Sequence, residues 1–241
     1  MKNGIQYGEL AKYYDLIYSW KDCGHEARIL RDLIRRYKRS SGVSLLDVAC
    51  GTGKHIQQLR DDFECVGIDS SEQMLAEARR QVKGVEFRCA NMVDFDLNRR
   101  FDVIICLFSS IGYVGSYPTL AKTLRNFAKH LKEGGVVIIE PWFTKSTWNA
   151  GSVHLRTYES EDLRIARVGY SGARGDVSLL DERILVAERN KGVSYFRDRQ
   201  VMGLFEKERF LELMNRAGLE ARYLKRSLAP RRGLYIGVKE G

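Results

Sequence analysis

The sequence predicts an α/β protein whose mainly parallel sheet carries an antiparallel β insert after its fifth strand. Three observations lead there. Apolar, strand-like runs alternate with segments of helical spacing over residues 1–140, a pattern that implies right-handed βαβ crossovers. One run, Val43-Ser44-Leu45-Leu46-Asp47-Val48-Ala49, enters a turn with two glycines, Gly51 and Gly53, before a helix starts. After Pro141 the pattern becomes alternating and β-prone, which marks antiparallel strands.

Residues 9–20 and 24–39 have helical spacing. The apolar run 43–49 reads as a buried strand, with a helix near 54–61. A second strand, Cys65-Val66-Gly67-Ile68, closes on Asp69. Ser70 or Ser71 then caps a helix over 72–81, with Met74, Leu75 and Ala78 on one face. Val85–Cys89 is a third strand and Phe101–Phe108 a fourth. A helix over 117–131 leads through Glu133-Gly134-Gly135 into a fifth, Val136–Glu140. In the insert, segments 163–170, 177–189 and 193–205 are strands, with Asn190-Lys191-Gly192 as a hairpin turn. A helix over 206–217 stops at Gly218. Two last strands, 219–226 and 233–239, return to the main sheet and bring it to seven. The domain reading is one unit over 1–241, with an antiparallel insert at 144–205 over the active site.

Composition narrows the function. A 44% hydrophobic and 29% charged chain with three prolines is globular. No window approaches the run of ~20 apolar residues that a membrane helix needs. The segment Met1–Tyr7 lacks the apolar stretch of a secretory signal. Five scattered cysteines without a C-x-x-C pair suit a reducing compartment. Together these imply a cytoplasmic protein. The histidines form no H-x-x-x-H pattern, so no metal is expected. Forty basic against thirty-one acidic residues give +9, a charge that favours acidic partners. The densest basic run, Arg28 to Arg39, is interleaved with Ile29, Leu30, Leu33, Ile34 and Tyr37. It reads as the wet side of an amphipathic helix, and no base-stacking signature accompanies it.

The chemistry concentrates in the string Asp47-Val48-Ala49-Cys50-Gly51-Thr52-Gly53. Glycine lets the backbone approach a ligand closely, and the helix start beyond it offers unpaired N–H donors. Asp69 follows eighteen positions after Gly51. A carboxylate there can accept bonds from both ribose hydroxyls of an adenosine-containing cofactor. The dinucleotide fingerprint wants a third glycine three residues beyond the second. Ile56 stands there, so that fingerprint fails.

The string instead resembles the first motif of class I S-adenosylmethionine-dependent methyltransferases, which have a Rossmann-like fold. Asp69-Ser70-Ser71-Glu72-Gln73-Met74-Leu75 looks like their second motif, and Ala90-Asn91-Met92-Val93-Asp94 like the segment that flanks adenine. The resemblance implies S-adenosyl-L-methionine as cofactor. It implies that Ala49 and Gly51 line the methionine end, that Asp69 holds the ribose, that Met74 packs on adenine and that Thr52 also belongs to the cofactor-binding set. Asn91 and Met92 would border the adenine edge, and Leu107 is counted among the cofactor-binding residues. The family usually has Asp where Asn91 stands. A resemblance over nearly the whole chain is carried by Tyr13-Tyr14-Asp15-Leu16-Ile17-Tyr18, Phe108-Ser109-Ser110-Ile111-Gly112-Tyr113, Gly134–Trp142 and Arg232–Gly237. These look like the N,N-dimethyltransferases of aminodeoxysugar biosynthesis, which methylate the amine of a nucleotide-linked amino sugar. Those enzymes are similar to glycine N-methyltransferase in carrying an antiparallel insert beside the site.

By that resemblance Tyr18 contacts the cofactor near the substrate side and Lys21 meets its carboxylate. Tyr113 and Trp142 line the acceptor pocket, and Arg232 meets an acidic substrate group. His154 is the second candidate for that acidic group, set behind Arg232 because it reads more readily as a surface residue of the insert, and Glu140, ending a buried strand, reads as orienting a neighbour. The family's Trp-Trp-Phe is Trp142-Phe143-Thr144 here. Its His-bearing stretch is Tyr195–Gln200, and its Ser-Gly-Arg-Gly is Pro230-Arg231-Arg232-Gly233. Methyl transfer asks little of side chains beyond in-line positioning of an uncharged nucleophile and a route for its proton. Tyr18 and Tyr113 are therefore either catalytic, orienting the amine, or packing residues. The expected partner is a small, anionic acceptor; nucleic acid and membrane are not expected, and a homodimer is a candidate assembly. The Asn/Asp-Pro-Pro-aromatic motif of base and glutamine methyltransferases is replaced by Leu107-Phe108-Ser109-Ser110. Two other functions stay open: an RNA-directed methyltransferase, and a cofactor-binding protein without catalysis.

Overall fold

The computed structural model describes residues 8, 10–225, 228 and 232–241. The segment Met1–Tyr7 and the pair Pro230-Arg231 lie outside the described residues, as does the last residue of the 219–226 strand prediction.

The strands of the main sheet are β1 (Ser44–Val48), β2 (Glu64–Asp69), β3 (Glu86–Cys89), β4 (Phe101–Cys106), β5 (Leu131–Ile139), β10 (Leu219–Leu224) and β11 (Leu234–Lys239). Their order across the sheet is β10-β11-β5-β4-β1-β2-β3. Pairs among β1 to β5 are parallel, whereas β11 pairs antiparallel with both β5 and β10. Every residue of β1 and β4 is buried, as expected for central strands covered on both faces. Alternation divides β1: Leu45 packs with Ala27, Leu30 and Ile34 of α2 (Cys23–Tyr37), whereas Leu46 and Val48 pack with Leu120, Leu124 and Phe127 of α5 (Tyr117–Lys129). On α2, Arg31 pairs with Asp62 and Arg35 with Asp32, and Arg39, just beyond the helix, pairs with Glu220. Those basic residues lie on the side away from the core, as the interleaved pattern predicted.

The helix at 72–81 forms over those residues as α4 (Glu72–Gln81), capped by Ser71, whose hydroxyl accepts from the Met74 amide at 3.2 Å. The helix expected at 54–61 is shorter, α3 (Lys54–Leu59). The predicted helix over 9–20 is instead a 3₁₀ turn (Ala11–Tyr13) and a short α1 (Tyr14–Ile17). The chain breaks because Ser19 bonds back to the Leu16 carbonyl, and the Asp22 side chain caps α2 through the His25 amide. Strand five begins earlier than expected. Gly134, at φ +71°, lies inside β5 as an irregularity in the pairing with β4, rather than in a turn before it. Strand four ends earlier, because Phe108 and Ser109 both take left-handed backbone angles, φ 50° and 62°. Such angles are uncommon for a bulky side chain and persist only when surroundings enforce them.

The insert is a separate antiparallel sheet in the order β6-β7-β8-β9: Val153–Glu159, Leu163–Arg174, Val177–Glu188 and Gly192–Gly203. The Asn190–Gly192 hairpin turn is present, with positive φ at both Asn190 and Gly192. Strand β6 escaped prediction because most of its residues are exposed and its apolar alternation is weak. The helix expected at 206–217 is α6 (Lys207–Arg216), and Gly218 follows at φ +80°. Ile165, Ile184 and Val186 of the insert pack on Leu10, Tyr13 and Ile17. The N-terminal segment thus joins the insert to the parallel-sheet body. No helix of the described residues is long and apolar enough to cross a membrane.

Candidate active site

Two buried carboxylates show where the sheet is built for stability and where for a ligand. Asp102, near the start of β4, accepts from the Gly42 and Ser44 amides, the Ser44 hydroxyl and the Lys132 ammonium at 2.6–3.1 Å. Burial pushes its carboxyl up, but Lys132 and Ser44 outweigh that and hold it well below the usual range. Asp47, near the carboxyl end of β1, is as deeply buried, yet its Oδ2 has no hydrogen-bond partner among the described residues. Burial first, and then the nearby Asp69 carboxylate, raise it well above its ordinary value. A buried acceptor left without a donor costs about 1–3 kcal/mol, and more when charged. Such a group is expected where a cationic ligand supplies the missing donor.

Asp47 lies on the wall of a cavity of about 770 Å³ at the carboxyl ends of the parallel strands, where ligands bind in open α/β sheets. The wall includes Lys21, Ala49, Gly51, Thr52, Asp69, Met74, Asn91, Met92 and Leu107, and also Tyr18 and Tyr113. Ala49 takes φ 60° and Gly51 φ 57°, so the chain turns back under the cavity floor. A Cβ at Gly51 would lie 3.3 Å from the Met74 methyl, inside the space those residues enclose. Asp69 ties two turns together: it accepts from the Gly51 amide through one oxygen and from the Ser71 amide through the other, each at 2.9 Å. Asn91 closes a local turn by accepting from the Val93 amide at 3.0 Å. Lys21 pairs with Glu26 and lies 3.3 Å from His55 Nε2. Cys23, Glu26 and His55 bring ligand atoms within 4.8 Å of one another. The Lys21 ammonium already supplies a cation to that cluster.

A clasp not foreseen from sequence closes one side. Asp15 of α1 accepts from the Thr52 hydroxyl and the Gln81 amide, both at 2.7 Å, and faces Lys54 at 3.4 Å. It holds the aromatic segment Tyr14–Tyr18 against the glycine turn. Its signal in the sequence was only a carboxylate within the tyrosine string.

A second cavity, about 380 Å³, opens beyond the first under the insert. Tyr18, Phe108, Tyr113 and Gln200 line both, so they mark the junction. Tyr18 packs against Phe108 with ring centroids 5.1 Å apart, and its hydroxyl accepts from Arg167 at 2.9 Å. Burial raises the Tyr18 phenol, while the Arg167 guanidinium opposes that rise. Tyr113 donates to Gln200 at 2.7 Å. Trp142 donates to the Ser178 hydroxyl at 2.8 Å and forms an aromatic cluster with Phe143 and Trp148. Arg232 stacks over Trp142 and Phe143, 5.4 and 5.3 Å from their ring centroids, and donates to Ser109. Glu140 accepts from the Phe108 amide at 2.7 Å, so it anchors the left-handed turn that carries Phe108.

His154 corrects the sequence reading. Its side chain is 31% exposed and belongs to the wall of the second cavity rather than to the outer surface, bonded to Glu182 at 3.0 Å. Glu182, Arg167, Gln200 and Arg156, also on the cavity walls, were not singled out as site residues. No local motif announces them, because they come from strands β6 to β9 and meet only through cross-strand register.

Residues 45–135 match a family model described as a methyltransferase domain. The chain is 35% identical to a dTDP-3-amino-3,4,6-trideoxy-alpha-D-glucopyranose N,N-dimethyltransferase of Streptomyces venezuelae, over 95% of this chain and 97% of the relative. The chain belongs to the class I S-adenosylmethionine-dependent methyltransferases, among the aminodeoxysugar N,N-dimethyltransferases. The crystal structure of DesVI from Streptomyces venezuelae superposes with a TM-score of 0.90 at 35% identity, covering 96% of this chain and 98% of DesVI. CalS10 of Micromonospora echinaspora, an amino pentose methyltransferase solved with S-adenosylmethionine bound, gives a TM-score of 0.81 at 30% identity, covering 91% and 92%. The cofactor of this methyltransferase is therefore S-adenosylmethionine. The orphaned Asp47 carboxylate and the open floor at Gly51 fit that ligand's cationic end.

Proposed function

We propose that this methyltransferase transfers methyl groups to the amine of a nucleotide-linked amino deoxysugar. The observation that carries the reading is the junction of the two cavities at Tyr18, Phe108, Tyr113 and Gln200. It lets a methyl donor and an acceptor meet end to end while aromatic rings exclude water.

In this reading Asp47 and Lys21 receive the charged methionine end, and Ala49, Gly51 and Thr52 shape its floor. Asp69 accepts from the ribose hydroxyls, and Met74, Asn91, Met92 and Leu107 enclose the adenine. When bound, S-adenosylmethionine supplies an electrophilic methyl on a sulfonium that departs as a neutral thioether. Tyr18 and Tyr113 orient the acceptor amine, Trp142 stacks on the acceptor, and Arg232 binds its diphosphate. Arg156, exposed on the same cavity, adds a second cation for that group. The acceptor is thus anionic. Positioning of this kind accounts for several kcal/mol of barrier lowering without a dedicated acid.

The whole span 1–241 is read as one methyltransferase domain, with the insert 144–205 roofing the acceptor cavity. Its outward face carries Val153, Leu155, Val168 and Tyr170, each more than half exposed. That supports a homodimer contact there. Five free cysteines accord with a cytoplasmic setting. The test is incubation with S-adenosylmethionine and a panel of dTDP-linked 3-amino and 4-amino deoxysugars, read by mass spectrometry. Addition of one or two methyl groups to the sugar amine is expected. Methylation of RNA or free amino acids in preference to every sugar would refute the reading.

A further inference from the structure

One row of the insert sheet is built around a gap. The register places His154 on β6 opposite Gly169 on β7, Gly169 opposite Glu182 on β8, and Glu182 opposite Asp198 on β9. Neighbouring strands lie about 4.8 Å apart, so His154 and Glu182 stand two strands from each other. They touch because nothing rises from Gly169. A Cβ there would collide with the imidazole ring, which lies across the strand to reach the carboxylate. Gly169 has no need of glycine for its backbone angles, since its φ is not positive. Its lack of a side chain serves the histidine.

The carboxylate at the far end is fixed. Glu182 is buried, and its oxygens face His154 Nε2 at 3.0 Å, Arg167 Nε at 3.5 Å and Gln200 Nε2 at 3.4 Å. Through these neighbours it is linked to the cavity junction: Arg167 donates to Tyr18, and Gln200 accepts from Tyr113. An ionised carboxylate only accepts, so the ring nitrogen facing it is the protonated one, and Nδ1 keeps its lone pair. The charged and titratable groups around the pair are Arg156, Arg167, Asp198, Tyr18 and Arg232.

We infer that His154, oriented by Glu182 across the Gly169 gap, is the proton acceptor for the amine in the acceptor cavity. The inference rests on the amine-methylation reading above. Each methylation forms one N–C bond at the amine as the donor's S–C bond breaks with its electron pair kept by sulfur, and leaves one proton too many on nitrogen. That proton passes to His154 Nδ1 while the N–H bonding pair stays on nitrogen and restores its lone pair. The imidazolium forms beside the Glu182 carboxylate and then releases the proton to solvent through its exposed edge.

The test uses the full chain. His154→Gln keeps a donor for Glu182 but cannot take up a proton, and it should lower kcat about 10²-fold with cofactor affinity unchanged by calorimetry. The acid limb of the kcat–pH profile that belongs to the imidazole should vanish. Added imidazole should restore turnover to His154→Ala. Gly169→Ala, which displaces the ring while leaving both His154 and Glu182 in the sequence, should reproduce the loss. Independently of turnover, ¹⁵N spectra of the histidine-labelled, ligand-free protein should show His154 as the Nε2–H tautomer, and Glu182→Gln should abolish that preference. Unchanged kcat and pH profile in His154→Gln, or an Nδ1–H tautomer, would overturn the inference and leave the methyltransferase reading intact. Absence of wild-type turnover on every amine would overturn both.

Discussion

The two cavities are made by different means. The cofactor cavity is made of backbone turns at strand ends: Ala49 and Gly51 after β1, and Asp69 with Ser71 after β2. Its contacts join residues within one or two βα units. The acceptor cavity is made of side chains from the segment after α1, the loops after β4 and β5, four insert strands and the approach to β11. One follows from the local geometry of a fold; the other follows from which side chains a long-range register delivers. A family can keep the first while exchanging the second; in this chain Asn91 departs from the family's usual residue on the first, and Phe143 departs on the second.

Substitutions that separate the halves sharpen the comparison. The largest effect is expected for Asp69→Ala, which removes the proposed ribose acceptor and unties the Gly51 and Ser71 amides together. Affinity for S-adenosylhomocysteine by calorimetry should fall 10²-fold or more, since hydrogen bonds to charged groups are worth about 1.5–3 kcal/mol each. Arg232→Ala should leave that affinity unchanged and raise KM for a dTDP-linked amino sugar at least about tenfold, with steeper loss than for an uncharged amine. Equal losses on both measurements for either variant would erase the division into halves. At the junction, Tyr18→Phe and Tyr113→Phe should lower turnover while sparing cofactor binding. Tyr18→Phe should be the more damaging, because it removes the hydroxyl that accepts from the largely buried Arg167 guanidinium. Unchanged turnover in both would make them packing residues.

The smallest effect is on stability and carries a pH sign. The Asp47 carboxyl is raised in the folded chain, so the native state holds its proton more tightly than the unfolded state. Such a group weakens the fold above its unfolded value, and the cost disappears as pH falls through that value. Asp47→Asn should therefore raise the melting temperature at neutral pH by a few degrees, corresponding to roughly 1–3 kcal/mol. The gain should vanish in acid, and affinity for S-adenosylhomocysteine should fall. A variant destabilised at neutral pH would show instead that Asp47 holds β1 in place, as Asp102 holds β4.

The amino-acid sequence by itself determined the alternation of strands and helices, the glycine turn, the Asp69 carboxylate and a serine cap at Ser70 or Ser71, between which the structure chose Ser71. Each depends on residues close together in the chain, where propensity and spacing act directly. It also marked the Asn190–Gly192 turn of the insert, for the same reason. Tertiary structure alone decided that α1 is a short aromatic clasp held by Asp15, and that Phe108 is forced into a left-handed turn by Glu140. It also decided that His154 belongs to a cavity wall. Those features depend on pairings between residues tens of positions apart, and a shift of one residue in the register of β6 would have turned His154 to the other face.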